Sequence, residues 1–225
     1  LVGAKVAADL KAKGLALTSL AELFPDQPLL LSELQHYADQ FLTTAEIKKG
    51  KPFLKEVWPI PTLLDFDNPF VKLALDPKVM DIINTYLEMF CRFHYFSLAL
   101  TTPIPQGSGA ISSQRWHRDP DDKKVCKMFV YLNDVDDLAG PFMYISESHF
   151  GGCWGRLFPQ RPPKGYYAPP GGVERAIPPS YRRALTGPAG TIIFCDTAGL
   201  HKGGYATSKE RFMFTAGYTS WSSLW

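Results

Sequence analysis

The chain has 225 residues, 45% hydrophobic and 20% charged, with 24 basic against 22 acidic residues for a net charge of +2. That balance describes a globular chain able to close one large core, and it argues against disorder and against nucleic acid or an anionic membrane as the main partner. No apolar run approaches a membrane span, no signal peptide is visible, and four cysteines without a C-x-x-C pair read as reduced core thiols in a cytoplasmic protein.

In chain order, residues 1–90 read as a helical scaffold. Residues 5–13 and 32–41 are candidate helices, followed by a Pro-broken connector, "WPIPTLLDFDNPF". "DPKVMDIINTYL" then offers Asp76 as N-cap, Pro77 at the first helical position, and Met80, Ile83 and Leu87 at helical spacing.

From residue 91 the pattern changes to strands: "RFHYFSLAL", "KVCKMFVYLNDV", "GPFMYISES", "GTIIFCDT" and "RFMFTAGYTSW" are aromatic and β-branched runs bounded by turn residues. Strands without long intervening helices predict an antiparallel sandwich or barrel, within one domain spanning 1–225. Alternation in "VCKMFVYL" sends Cys126, Met128, Val130 and Leu132 toward the scaffold and Val125, Lys127, Phe129 and Tyr131 inward. Residues 155–190, dense in Pro and Gly, read as a lid or a solvated loop. That stretch carries Arg156, Arg161, Lys164, Arg175, Arg182 and Arg183 against Glu174 alone; closure over a site would favour an anionic substrate.

"SQRWHRDPDD" contains His117 and Asp119, which point the same way from an extended backbone and can hold one ion from adjacent corners. The tripeptide alone is better read as an exposed polar turn, and only further ligands elsewhere in the chain change that. His201, past the strand "GTIIFCDT", supplies a third ligand; two histidines and a carboxylate make the facial triad that holds non-haem Fe(II) with open positions. His36 lies in a predicted helix, His94 early in a strand and His149 at a strand end, so none is given a ligand role. Arg211 opens the last strand on its less bulky face, where a guanidinium would bind a carboxylate-bearing cosubstrate or form a surface salt bridge. Trp116 reads as a hydrophobic plug at the barrel mouth, and Arg118 as a spacer pointing away.

Taken together, "SQRWHRDPDDKKVCKMFVYLNDVDDLAGPFMYISESH" and "GTIIFCDTAGLHKGGYATSKERFMF" resemble the phytanoyl-CoA dioxygenase family of Fe(II)- and 2-oxoglutarate-dependent oxygenases, over roughly residues 90–221. The resemblance implies a double-stranded β-helix, jelly-roll or cupin-like, with iron on His117, Asp119 and His201, and the far carboxylate of 2-oxoglutarate on Arg211. Lys127, Phe129 and Gln114 would be further cosubstrate or substrate contacts. It also implies use of O2, oxidation of a C–H bond of a small-molecule substrate, and release of succinate and CO2. Asp119 favours hydroxylation or a related oxidation over halogenation, since related halogenases carry a small residue at the carboxylate ligand. The family often has Pro-Gly before the Ser-His at the end of its "GP" strand, and this chain has Ser146-Glu147. The alternatives are a cupin-type metalloenzyme without 2-oxoglutarate and a non-catalytic cupin-like binding protein. Substrate and oligomeric state are not legible.

Overall fold

The computed structural model describes residues 1–58, 65–105, 107–159 and 166–223. Helix α1 (Val2–Lys13) ends at Gly14, whose φ of 70° closes the helix in the left-handed region. A side chain there would also collide with Tyr144 Oη and the His149 ring, so glycine is required twice over. The chain continues as β1 (Leu15–Ser19), α2 (Leu20–Leu23), α3 (Leu30–Asp39), the hairpin β2 (Glu46–Ile47) and β3 (Leu54–Glu56), α4 (Pro69–Ala74) and α5 (Pro77–Leu87). The three expected helices fall on α1, α3 and α5, and Asp76 caps α5 by accepting from Lys78 N at 2.8 Å. Met80, expected on the buried face of α5, is only half-buried; Val79, Ile82, Ile83, Tyr86 and Leu87 fill that face. In the connector, residues 59–64 lie outside the described residues, and its end starts α4, capped by Asn68.

The first ninety residues are not purely helical. β1, β2 and β3 join the larger of two sheets, at its two edges. Strands of five, two and three residues are too short for alternation to identify them.

Then come β4 (Arg92–Thr101), β5 (His117–Arg118), β6 (Cys126–Tyr131), β7 (Phe142–Ile145), β8 (Tyr166–Tyr167), α6 (Gly172–Ala176), β9 (Arg182–Leu185), β10 (Thr191–Asp196), β11 (His201–Lys202) and β12 (Arg211–Thr219). The seven-stranded sheet runs β1-β10-β6-β12-β4-β3-β2 and the five-stranded sheet β8-β5-β11-β7-β9. Every pairing is antiparallel, so the mainly β architecture with N-terminal helices stands.

Alternation decides what each face meets. Cys126, Met128 and Val130 of β6 and Phe212, Phe214, Ala216 and Tyr218 of β12 pack on the helices, as expected. Phe70 of α4 lies 4.8 Å from the Phe214 ring, and each such buried side chain contributes about 1.5–3 kcal/mol. On the other face Phe129, Tyr131, Ile193 and Cys195 meet Phe142, Tyr144 and Leu185 of the smaller sheet.

A third cluster covers the outside of the smaller sheet: Ala168, Val173 and Ile177 pack on Trp116, Ile145 and Leu200. The described part of 155–190 is therefore not an irregular lid; it supplies β8, α6 and β9 and backs the smaller sheet. Its expected basic residues Arg161 and Lys164 lie outside the described residues. Trp116 belongs to this outer cluster rather than to the mouth, because side chains alternate and its neighbour His117 points inward.

One buried contact ties scaffold to sheet. Tyr86 Oη of α5 donates to Asp196 Oδ2 at 2.5 Å, while Oδ1 accepts from Val125 N at 3.1 Å and Ala198 N at 2.9 Å. Asp196 thereby sets the turn leading to β11. Tyr86→Phe leaves that buried carboxylate one donor short and is expected to lower stability by about 1–3 kcal/mol, read as a lower urea midpoint at unchanged slope.

Candidate metal centre

His117 and His201 sit directly opposite each other on the antiparallel pair β5 and β11, their ring centroids 4.2 Å apart. Asp119, two residues after His117, returns to the same side, and its N–H donates to Thr197 O at 2.9 Å, in the turn that Asp196 shapes. Ligand atoms of the three residues all lie within 4.8 Å of one another. His117 Nε2 is 3.8 Å from Asp119 Oδ1 and His201 Nε2 is 3.6 Å from Oδ2.

The backbone selects the imidazole tautomers. His117 Nδ1 lies 2.7 Å from Arg115 O and His201 Nδ1 lies 3.0 Å from Gly199 O. A carbonyl only accepts, so each Nδ1 carries the hydrogen and each Nε2 turns a lone pair toward the carboxylate. Burial pushes both imidazoles toward the neutral form, and His117 beside it helps drive His201 down to about 3. Neutral nitrogens are what a metal needs.

Lys127, inward-facing on β6, donates to Asp119 Oδ2 at 2.5 Å. Burial opposes the charge on both partners, yet each holds the other ionised: the carboxyl is held well below the usual carboxylate range and the ammonium stays protonated above its own. Tyr95 of β4 also interacts with Lys127, whose Nζ lies 5.3 Å from its ring centroid. Gly217 makes room for it, since a side chain there would press into the Tyr95 ring. Tyr95 went unread in the sequence, although alternation along β4 puts it on the inner face with Ser97 and Ala99.

Arg211 is buried, as 5% exposure shows, and donates to Gly140 O and to Thr101 Oγ1. No acidic partner reaches it among the described residues, and its Nε is an unpartnered buried donor. This excludes the surface salt bridge. Nη2 lies 3.8 Å from where a side chain on Gly203, two residues past His201, would begin. Phe129 packs at 4.7 Å, tilted by 42°, against Phe142, whose ring is 5.6 Å from that of His201. Gln114 is buried with Nε2 unpartnered and makes no hydrogen bond to the triad among the described residues. Tyr167 of β8, an aromatic the sequence offers without placing, stacks on His117 at 5.4 Å. The donor set suits a divalent first-row metal, and the orphaned Arg211 nitrogen suits a carboxylate beside it.

Other expectations change. Arg118 points outward but is no mere spacer: its five N–H groups reach the carbonyls of Phe158, Ser148, Ala198, Trp154 and Leu157 at 2.6–3.2 Å. Cys91, Cys126 and Cys195 are buried, but Cys153 is exposed because it sits in the glycine-rich turn after β7. His149 Nε2 meets Lys11 O at 3.1 Å, consistent with its having no ligand role. Glu147, where the resembled family often has glycine, takes a left-handed φ of 61°. Arg175 and Arg182 donate to nearby carbonyls.

Two outcomes are expected. Arg118→Lys leaves several carbonyls without donors and should destabilise by about 3 kcal/mol or more, with faster amide exchange in residues 148–158. For the metal-free protein, the unfolded chain takes up protons at histidines near 6.5 while His201 resists until about 3. Stability is then present above 6.5 and lost as pH falls toward 3, with His117 and Asp119 acting in the same sense; a thermal midpoint unchanged between pH 7 and 4 would contradict this.

A scan against protein-family models gives no match, and neither does a search of curated protein sequences. Solved structures do match. The epimerase SnoN, in complex with Fe3+, alpha ketoglutarate and nogalamycin RO, is 15% identical over 99% of this chain and 85% of its own, with a TM-score of 0.69. HygX from Streptomyces hygroscopicus, with nickel, 2-oxoglutarate and hygromycin B bound, is 14% identical over 97% and 87%, TM-score 0.63. EctD from S. alaskensis, with 2-oxoglutarate and 5-hydroxyectoine, is 19% identical over 96% and 76%, TM-score 0.62. At such identities the likeness is one of fold, and that fold is the double-stranded β-helix expected from the sequence.

Proposed function

We propose that the protein is an Fe(II)- and 2-oxoglutarate-dependent oxygenase that uses O2 to hydroxylate, or otherwise oxidise, a C–H bond of a small molecule, releasing succinate and CO2. The observation that carries this is a pairing: a two-histidine, one-carboxylate cluster together with a buried guanidinium that has no acidic partner among the described residues. A cupin-type metalloenzyme without 2-oxoglutarate would not need Arg211, and a binding protein need not keep a triad with open metal positions. The matched structures that hold 2-oxoglutarate with iron or nickel support the same reading.

In this reading His117, Asp119 and His201 hold the metal, which supplies the oxygen chemistry with its cosubstrate when bound. The chain's own residues do the rest. Arg115 O and Gly199 O fix the imidazole tautomers. Lys127 holds one carboxylate oxygen of Asp119 and keeps the group ionised. Arg211 binds and orients the distal carboxylate of 2-oxoglutarate, and Phe129 with Phe142 excludes water beside His201. Gln114 is a further cosubstrate or substrate contact through its unpartnered amide. Residues 1–225 work as one oxygenase domain, because β1 of the scaffold is itself a strand of the larger sheet.

Among the described residues no helix is long and apolar enough to cross a membrane, which suits a small-molecule substrate met in water. Anaerobic addition of Fe(II) and 2-oxoglutarate should raise a visible charge-transfer band, and O2 should then yield succinate. His117→Ala abolishes the band, and Arg211→Ala weakens 2-oxoglutarate binding by about ten- to a hundredfold, as expected for lost charged hydrogen bonds. A protein that gives no band with both additions is not this enzyme.

A further inference from the structure

The β2–β3 hairpin brings charged side chains to the edge of the candidate metal centre. Glu56 pairs with Ala99, which in turn pairs with Met213 on the inner face, so Glu56 looks into the space between the sheets. Lys48 is ion-paired with it. Lys51 occupies the tight turn between the strands, with Lys51 N on Lys48 O and Leu54 N on Lys51 O, both at 2.9 Å. The hairpin is anchored at Phe53 O by Thr102 N at 2.8 Å, beside the Thr101 that receives Arg211.

Lys51 is half-buried, and its hairpin hangs on β4, the strand whose Tyr95 lies over Lys127 at 5.3 Å; the charges of Lys127, Asp119 and His117 reach it there, at the rim of the candidate metal centre. Each neighbouring cation has a matching anion: Lys48 has Glu56 and Lys127 has Asp119. Asp121 is turned to His94, 3.8 Å away. Lys51 has no carboxylate within ion-pair distance among the described residues. A metal held by Asp119 would add positive charge to the same rim and engage one of the two carboxylates whose charge reaches Lys51, the other being the Glu56 already paired with Lys48.

We propose that Lys51 is the recognition residue for an anionic group, a carboxylate or a phosphate, on the substrate of this centre. The inference rests on the oxygenase reading and deepens it. An ammonium on a flexible stem suits either anion as a point charge, and its place at the rim keeps the anion away from the metal's ligands, so the reacting carbon rather than the charge faces the triad.

The test uses the full chain loaded with Ni(II) and 2-oxoglutarate, titrated calorimetrically with phenyl phosphate, benzoate and benzyl alcohol. Either or both anions should bind saturably, and the alcohol at least about tenfold more weakly. Lys51→Gln should weaken anion binding by about tenfold or more, while Lys51→Arg largely retains it. Lys49→Gln, the same charge change at an exposed position of the hairpin, should alter binding by less than about twofold. No saturable anion binding, or equal losses in the Lys51→Gln and Lys49→Gln proteins, overturns the assignment. The Fe(II) and 2-oxoglutarate band is recorded in parallel. Its absence from wild type overturns the oxygenase reading and this inference with it; its presence alongside unaltered anion binding in Lys51→Gln overturns the Lys51 assignment alone.

Discussion

The guanidinium of Arg118 gathers what the metal centre is built from. It sits between two of the candidate ligands in sequence, is 3% exposed, and is surrounded by backbone oxygens rather than by a carboxylate. Ser148 O belongs to the end of the β7 segment, Ala198 O to the turn before His201, and Trp154, Leu157 and Phe158 to the segment that crosses outside. A buried cation is costly unless its donors are satisfied, and five carbonyls around the planar fork satisfy those of Arg118. The same group thus fixes the H-x-D strand, the strand bearing the second histidine and the cover over both. The inward positions of His117 and Asp119 follow from the outward position of Arg118.

What was legible in the sequence is what periodicity and turn chemistry encode locally. The long strands fell within a few residues of β4, β6, β10 and β12, because each is long enough for alternation to sort its faces, and the shorter β7 was marked by the Gly-Pro that precedes it. His117, Asp119 and His201 were legible because residue type and spacing suffice for a ligand pair, and the third lies just past a recognisable strand. Strands of two residues are different: β5, β8 and β11 carry no periodicity of their own and exist through pairing with distant partners. Composition misled in 155–190, where proline and glycine suggested an open loop and the segment instead seals an apolar face. Lys51 was invisible for a related reason. Nothing near residue 51 says that its hairpin pairs with β4, and only that pairing brings its charge to the centre.

The two sheets divide the work. The larger one, backed by helices, carries Lys127, Phe129 and Arg211, the groups that would receive an organic acid. The smaller one carries both histidines, on strands of two residues, backed among the described residues by the apolar cluster around Trp116 and by the Arg118 network rather than by long helices. Cooperative opening starts where the buried apolar area is least. The histidine-bearing layer is therefore expected to open more readily than the helix-backed one. A bound metal would bridge His117 and His201, so its first thermodynamic effect would be to raise the free energy of that local opening. Metal content would then govern protease resistance in the thin layer well before it altered the unfolding of the whole.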